Sequence, residues 1–228
     1  MEQLVLDMGL APRPSLGNFL ADGNRDALAH LELWAHNPRR SPVPTYLWGP
    51  SGVGKTHLLQ AVRAVVEAQG GAVGSMNAAT LAPPEFDEAW TVVLLDDCHL
   101  YTAGQQAVAF NWFVNAQTPG SGSARWVLAA GARPPADLAL REDLRTRLGW
   151  GHVFQLQPLA EAERRAVLRR AADGRGVFLS DEVMDFMLNR FSRDLSSLMA
   201  LLDQLDGYAL RTQRAITIPL IKAMLEHP

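Results

Sequence analysis

The residues Gly49-Pro50-Ser51-Gly52-Val53-Gly54-Lys55-Thr56 place two glycines five positions apart, followed at once by an ammonium and a hydroxyl. Glycine lets consecutive backbone N–H groups curl around phosphate oxygens, and a helix starting at the lysine adds its positive N-terminal end. In such a loop Lys55 reaches the β- and γ-phosphates and the Thr56 hydroxyl is a ligand for Mg2+. A bare glycine turn has no use for Lys-Thr at its end, so the chemistry implied is nucleotide binding. A second signal is Val92-Val93-Leu94-Leu95-Asp96-Asp97, an apolar run ending in two carboxylates. Buried strands often end in solvated acids. Paired with a phosphate loop, however, Asp96 is placed to hold Mg2+ through water and Asp97 to polarise an attacking water.

These groups need elements to carry them. Val43 to Trp48 reads as a short strand running straight into the glycine-rich turn, and Thr56 to Ala68, with Leu58, Leu59, Val62 and Val65 on one side, as the helix after it. Before them, Asn24 is a candidate N-cap for a helix through Leu28, Leu31 and Trp34 toward Pro38. After them come strands over 72–76, 92–95, 126–130 and 152–155, with a helix over 107–116. Alternating β and α elements imply a parallel sheet with helices on both faces. Beyond Pro158 the pattern changes to helices over 161–172, 181–190, 194–211 and 218–225, with Leu195, Leu198, Leu202 and Leu205 as an ordinary core stripe. The expected organisation is an extended tail over 1–14, an αβα nucleotide-binding domain over 15–158 and a small all-helical domain over 159–228.

Composition narrows the class. The chain has 228 residues, is 48% hydrophobic and 20% charged, and so fits a globular protein and neither a disordered nor a fibrous one. Its net charge of -3 argues against a chain whose main work is neutralising phosphates on a duplex, and no direct sequence-specific DNA binding is expected. Cys98 is the one cysteine, which excludes an intramolecular disulfide and a cysteine-based zinc site. No apolar run of membrane-spanning length and no secretory leader are evident, so no membrane partner and a cytoplasmic location are expected.

With Ser15-Leu16-Gly17-Asn18-Phe19 ahead of the first helix, the phosphate loop and the acidic strand end resemble the AAA+ ATPases of the DnaA group. Arg133-Pro134-Pro135, Asp143-Leu144-Arg145-Thr146-Arg147-Leu148-Gly149-Trp150-Gly151, Leu156-Gln157-Pro158-Leu159, Leu202-Asp203-Gln204-Leu205-Asp206 and Ile216-Thr217-Ile218-Pro219 look like the branch of that group formed by the Hda family, regulatory inactivators of DnaA. The resemblance spans nearly the whole chain. It implies a P-loop AAA+ domain with a five-stranded parallel sheet followed by a helical lid.

It also assigns roles. Arg147, which by itself reads as a solvated charge near a helix end, matches the finger that reaches the γ-phosphate held by an adjacent subunit. Arg193 matches the second sensor, which reads nucleotide phosphates from the lid. Gln3, Leu4, Leu6 and Met8 resemble the peptide by which such proteins dock on the sliding clamp, the β subunit of DNA polymerase III, with Met8 a softer substitute for the usual Leu or Phe. The implied partners are the clamp and DnaA, with a homo-oligomer as a further state. One departure stands out: where the family carries a polar first sensor, this chain has Ala129-Ala130-Gly131-Ala132. Weak hydrolysis of its own is therefore expected, and action mainly on ATP bound to DnaA. The alternative is an autonomous ATPase, a helicase loader or a small initiator. A loader is disfavoured by the tail and the blank sensor, and an initiator by the lack of chain after the lid for a DNA-binding domain.

Overall fold

The structure, a computed structural model, describes residues 13–37, 41–120, 124–191 and 195–226. Two compact units are resolved, Pro14–Pro158 and the residues from Leu159 onward.

In the first unit, strands β1 (Thr45–Trp48), β2 (Ala72–Met76), β3 (Trp90–Leu95), β4 (Trp126–Gly131) and β5 (His152–Gln155) form one parallel sheet in the order β2-β3-β4-β1-β5. Helices α1 (Arg25–His36), α2 (Lys55–Ala68), α3 (Ala103–Gln117) and α4 (Glu142–Leu148) cover it. Side chains alternate across a strand, and both faces are buried, which is why β3 from Val92 onward and all of β4 are apolar. On one face Leu47, Val92, Leu94, Trp126 and Leu128 pack with Leu31 and Trp34 of α1 and Leu58, Leu59 and Val62 of α2. On the other, Tyr46, Val93, Leu95, Val127 and Ala129 meet Trp112 and Phe113 of α3 and Leu144 and Leu148 of α4.

Two local departures from the sequence reading have physical causes. Asn24 precedes α1 but makes no side-chain cap. Its buried amide instead pairs with the Gln157 backbone, Nδ2 donating to the carbonyl at 3.1 Å and Oδ1 accepting from the N–H at 2.7 Å. Helix α3 starts four residues earlier than expected, because Thr102 and Gln105 form a capping box: the Gln105 N–H donates to Thr102 Oγ1 at 3.3 Å and the Thr102 N–H to Gln105 Oε1 at 2.9 Å. The short helix α4, which carries Arg147, packs on α3 and the preceding turn at Pro135–Asp137.

The second unit is all helical, with α5 (Glu161–Gly174), α6 (Asp181–Arg190), α7 (Leu195–Thr212) and α8 (Ile218–Glu226). Its own core joins Leu168, Met184, Met187, Leu198, Leu202, Leu205 and Ile221. Leu198, Leu202 and Leu205 are buried, whereas Leu195, at the first position of α7, is only half-buried. None of the described helices is long and apolar enough to cross a membrane.

Beneath the amino ends of β1 and β5, His30 of α1 shares a 2.9 Å hydrogen bond with Thr45 Oγ1 and lies 4.5 Å, ring to ring, from His152. Burial pushes the His30 imidazole below its ordinary range, and the neighbouring His152 adds to the shift. A histidine that titrates lower when folded leaves the unfolded chain binding the extra proton. Stability is therefore full above the ordinary histidine value of about 6.5 and is lost as the pH falls through it. His57, also lowered by burial, acts in the same direction. We expect the melting temperature to fall from pH 7.5 to 5.5, and His30→Gln, which can keep the bond to Thr45, to flatten that slope without abolishing it.

Candidate nucleotide site

The carboxyl ends of β1 and β3 lie on either side of β4. The loop 49–54 leaves β1, and its first N–H, that of Gly49, donates to the Gly131 carbonyl at the end of β4 at 3.3 Å. Gly52 and Gly54 have φ of +78° and +93°, the left-handed region that L side chains avoid. Gly54 is constrained twice, since a Cβ there would sit 2.6 Å from Cε2 of Phe19. That ring belongs to the segment after the short helix Leu16–Asn18, which lies against the start of α2. The Ser15 carbonyl accepts from His57 Nε2 at 3.1 Å, and the Phe19 and His57 rings lie 5.8 Å apart.

Lys55 opens α2 and is only 8% exposed. Its ammonium donates to the carbonyls of Gly49 and Pro50, each at 2.8 Å, so the charge is held at the loop it would serve. Thr56 Oγ1 donates to Asp96 Oδ2 at 2.7 Å, and Asp96 Oδ1 accepts from the Asp97 N–H at 2.9 Å. Burial pushes the Asp96 carboxyl above its ordinary range, against the pull of the Thr56 hydrogen bond. Asp97 has φ of +51°, a left-handed conformation that aspartate tolerates better than most residues and that is over-represented at functional sites.

The end of β4 is blank for a specific reason. Gly131 lies against the Tyr46 hydroxyl, so any Cβ at 131 would collide with that ring. Burial holds the Tyr46 phenol far above its ordinary range, and its hydroxyl donates to the Arg133 carbonyl at 2.9 Å. A buried, protonated tyrosine thus occupies the space a side chain at 131 would need.

Of the residues singled out in the sequence, Gly49, Pro50, Ser51, Gly52, Val53, Gly54, Lys55, Thr56, Asp96 and Asp97 come together in this one region. Arg147 stands on α4, half-buried, its guanidinium 5.2 Å from the Phe110 ring centroid. Arg193 and Gln3, Leu4, Leu6 and Met8 lie outside the described residues. Sequence reasoning missed Tyr46 and the functional place of Phe19. The only local trace of Tyr46 is a glycine at the end of an otherwise well-filled strand.

The site fits a nucleoside phosphate with Mg2+. Gly49 and Gly54 admit no Cβ, which would clash with the Leu156 carbonyl and the Phe19 ring, a buried cation is held at the loop, and the hydroxyl and carboxylate oxygens of Thr56 and Asp96 are hard donors of the kind Mg2+ takes. No cluster of three or more His, Cys, Asp or Glu side chains able to hold a metal occurs among the described residues. A Mg2+ ion at Thr56 and Asp96 therefore needs phosphate and water oxygens to complete its shell.

Comparison with known proteins decides what carries this site. Residues 10–76 match the family described as bacterial DnaA ATPase domain, and residues 161–225 match the family described as Hda, lid domain. One stretch of the chain thus matches a DnaA ATPase domain and another the lid of Hda. Its fold is similar to that of domain III of the replication initiation protein DnaA from Thermotoga maritima, with TM-score 0.76 and 22% identity over 94% of this chain and 96% of that one. AMPPCP-bound DnaA from Aquifex aeolicus gives TM-score 0.66 and 22% identity, over 86% of this chain and 66% of that one. The RuvB Holliday junction branch migration motor of Thermotoga maritima gives 0.68 and 17%, over 95% and 72%. The P-loop AAA+ fold with its parallel sheet and helical lid is thus established.

The raised Asp96 carboxyl has a stability sign opposite to that of a salt-bridged acid. Its ionised form is disfavoured in the folded state, so its contribution falls as the pH rises through the carboxylate range. Asn at this position keeps an acceptor for the Asp97 N–H and a donor for the Thr56 hydroxyl without the charge. We expect Asp96→Asn to raise the melting temperature of the ligand-free protein by a few degrees while removing the Mg2+ dependence of nucleotide binding. Calorimetry and thermal melts with and without Mg2+ check both parts.

Proposed function

We propose that this AAA+ protein is a regulator of replication initiation. With ADP or ATP in its phosphate loop and its N-terminal peptide docked on the DNA-loaded sliding clamp, it packs against ATP-bound DnaA and stimulates hydrolysis there. The observation that carries this reading is the pairing of an assembled loop, in which Lys55, Thr56 and Asp96 are already linked, with a β4 end closed to any polar side chain at 131. Such a site binds nucleotide but lacks a group on β4 to orient water. The Hda lid matched over 161–225 supports the regulatory branch over other DnaA-related chains.

In the proposed site the loop N–H groups and Lys55 bind the phosphates, Thr56 supplies a metal ligand, and Asp96 accepts from metal-bound water, with Asp97 beside it. Mg2+ would neutralise charge on the β- and γ-phosphates. Arg193 would read those phosphates from the lid. Arg147 acts elsewhere, on the γ-phosphate held by DnaA, where a guanidinium stabilises charge that develops only in the transition state.

Steady-state ATP turnover by the protein alone, and then with DnaA, with DNA-loaded clamp and with both, tests the reading. Little turnover alone and strong turnover with both is the expected result. Comparable turnover alone would favour the autonomous ATPase.

Arg147→Ala should leave folding, nucleotide binding and clamp binding intact while stimulated hydrolysis drops by at least tenfold, since arginine fingers are worth about 10³ to 10⁵ in rate. Replacing Gln3 and Leu6 by Ala should abolish clamp binding in a pull-down and leave the melting temperature within about a degree of wild type, because a terminal tail contributes little to the core.

A further inference from the structure

Arg147 differs from its neighbour Arg141 in what holds it. Among the described residues no hydrogen bond and no ion pair engages its guanidinium. Its neighbours are aromatic: the Phe110 ring at 5.2 Å and the Phe113 ring at 6.0 Å from the guanidinium carbon. Arg141, at the amino end of the same helix, also lies over Phe110, at 5.3 Å, but is tied to Asp143 at 2.6 Å. One ring thus adjoins two guanidinium groups, one neutralised by a carboxylate and one not.

The frame beneath this arrangement is firm. Gln106 Oε1, on the turn of α3 before Phe110, accepts from the Arg141 N–H at 2.9 Å, and Phe113 is fully buried in the core with Leu144 and Leu148, which flank Arg147 in sequence. Helix α3 therefore fixes α4 at its start through Gln106 and faces its end with aromatic side chains.

A carboxylate partner would also hold Arg147, but it would take the N–H fork and cancel the charge. A ring face attracts the cation through its quadrupole and leaves the edge N–H groups open to an incoming anion. An arginine held this way has already lost much of its rotamer freedom before it meets a partner, which lowers the cost of binding. We infer that Phe110 is a positioning residue for Arg147, presenting an ordered and uncompensated guanidinium to the anionic phosphate of a partner-bound nucleotide. The inference rests on the finger reading above and adds the device that aims the finger.

The test compares Phe110→Leu, which keeps apolar volume and loses the ring, with Phe110→Tyr, which keeps the ring, and with Arg147→Ala. The first readout needs no partner: the Nε–Hε resonance of Arg147, assigned by its loss in Arg147→Ala, should be ring-current shifted in wild type and Phe110→Tyr and move to the free-arginine position in Phe110→Leu. The second is DnaA-bound ATP hydrolysis with DNA-loaded clamp, titrated with each variant. Phe110→Leu should lower the maximal stimulated rate about two- to fivefold, the scale of an aromatic–cation contact, with the half-saturating concentration, nucleotide affinity and melting temperature unchanged. Phe110→Tyr should restore the rate. A wild-type maximal rate in Phe110→Leu while Arg147→Ala is inactive overturns the positioning role. So does a rate loss that tracks a lowered melting temperature and is not rescued by Tyr. Wild-type stimulation by Arg147→Ala overturns the finger itself, and the role of Phe110 with it.

Discussion

Thr56 and Asp96 belong to elements separated by a whole strand, since β4 runs between β1 and β3, yet their side chains share a 2.7 Å hydrogen bond. The strand between them ends in small residues. Gly131 pairs in register with Trp48, the last residue of β1, and Ala129 pairs with Leu95, the last residue of β3. A Cβ at 131 would sit 2.0 Å from the Tyr46 hydroxyl. The same smallness lets the Tyr46 hydroxyl reach across to the Arg133 carbonyl. The missing polar side chain at 131 is therefore a result of packing against Tyr46.

Much of the site was legible because it is contiguous in sequence. Gly49 to Thr56 and Val92 to Asp97 each carry their chemistry within a single stretch, and the apolar runs before them announce buried strands. The parallel sheet was legible for the same reason, as strands buried on both faces lose the alternation that would mark an exposed one. The start of α3 was also written locally, in the Thr102-x-x-Gln105 spacing, although the apolar pattern pointed later. Asn24 could not be decided locally, because its amide serves a helix N-terminus and a distant backbone pair equally well, and the choice depends on Gln157, far along the chain. The Phe110 and Arg147 contact joins two helices through β4, and the fit of Tyr46 to Gly131 joins two strands. Neither leaves a pattern along the chain.

The positive charges of the αβα unit are handled in contrasting ways. Lys55 is buried, and its ammonium donates to two backbone carbonyls, which carry no net charge. Arg141 has a carboxylate. Arg147 has rings. A carbonyl or a ring face orients a cation and leaves its net charge intact, which suits groups meant to meet a phosphate, whereas a carboxylate suits one whose work is structural.

The Ser15 carbonyl, held by His57 on α2, has a consequence for reach. It anchors the chain beside the phosphate loop, and only seven peptide steps separate Ser15 from Met8. A fully extended chain spans at most about 3.3 to 3.6 Å per residue, so under the proposed docking the near end of the clamp peptide, Met8, lies no more than about 25 Å from that anchor. A leash that short restricts the volume the domain can explore once tethered, and raises its local concentration near anything else held on the same clamp. Under that proposal the peptide would do more than recruit: it would confine the nucleotide-binding domain to a shell around the clamp, where an encounter with DnaA on nearby DNA would be a local event.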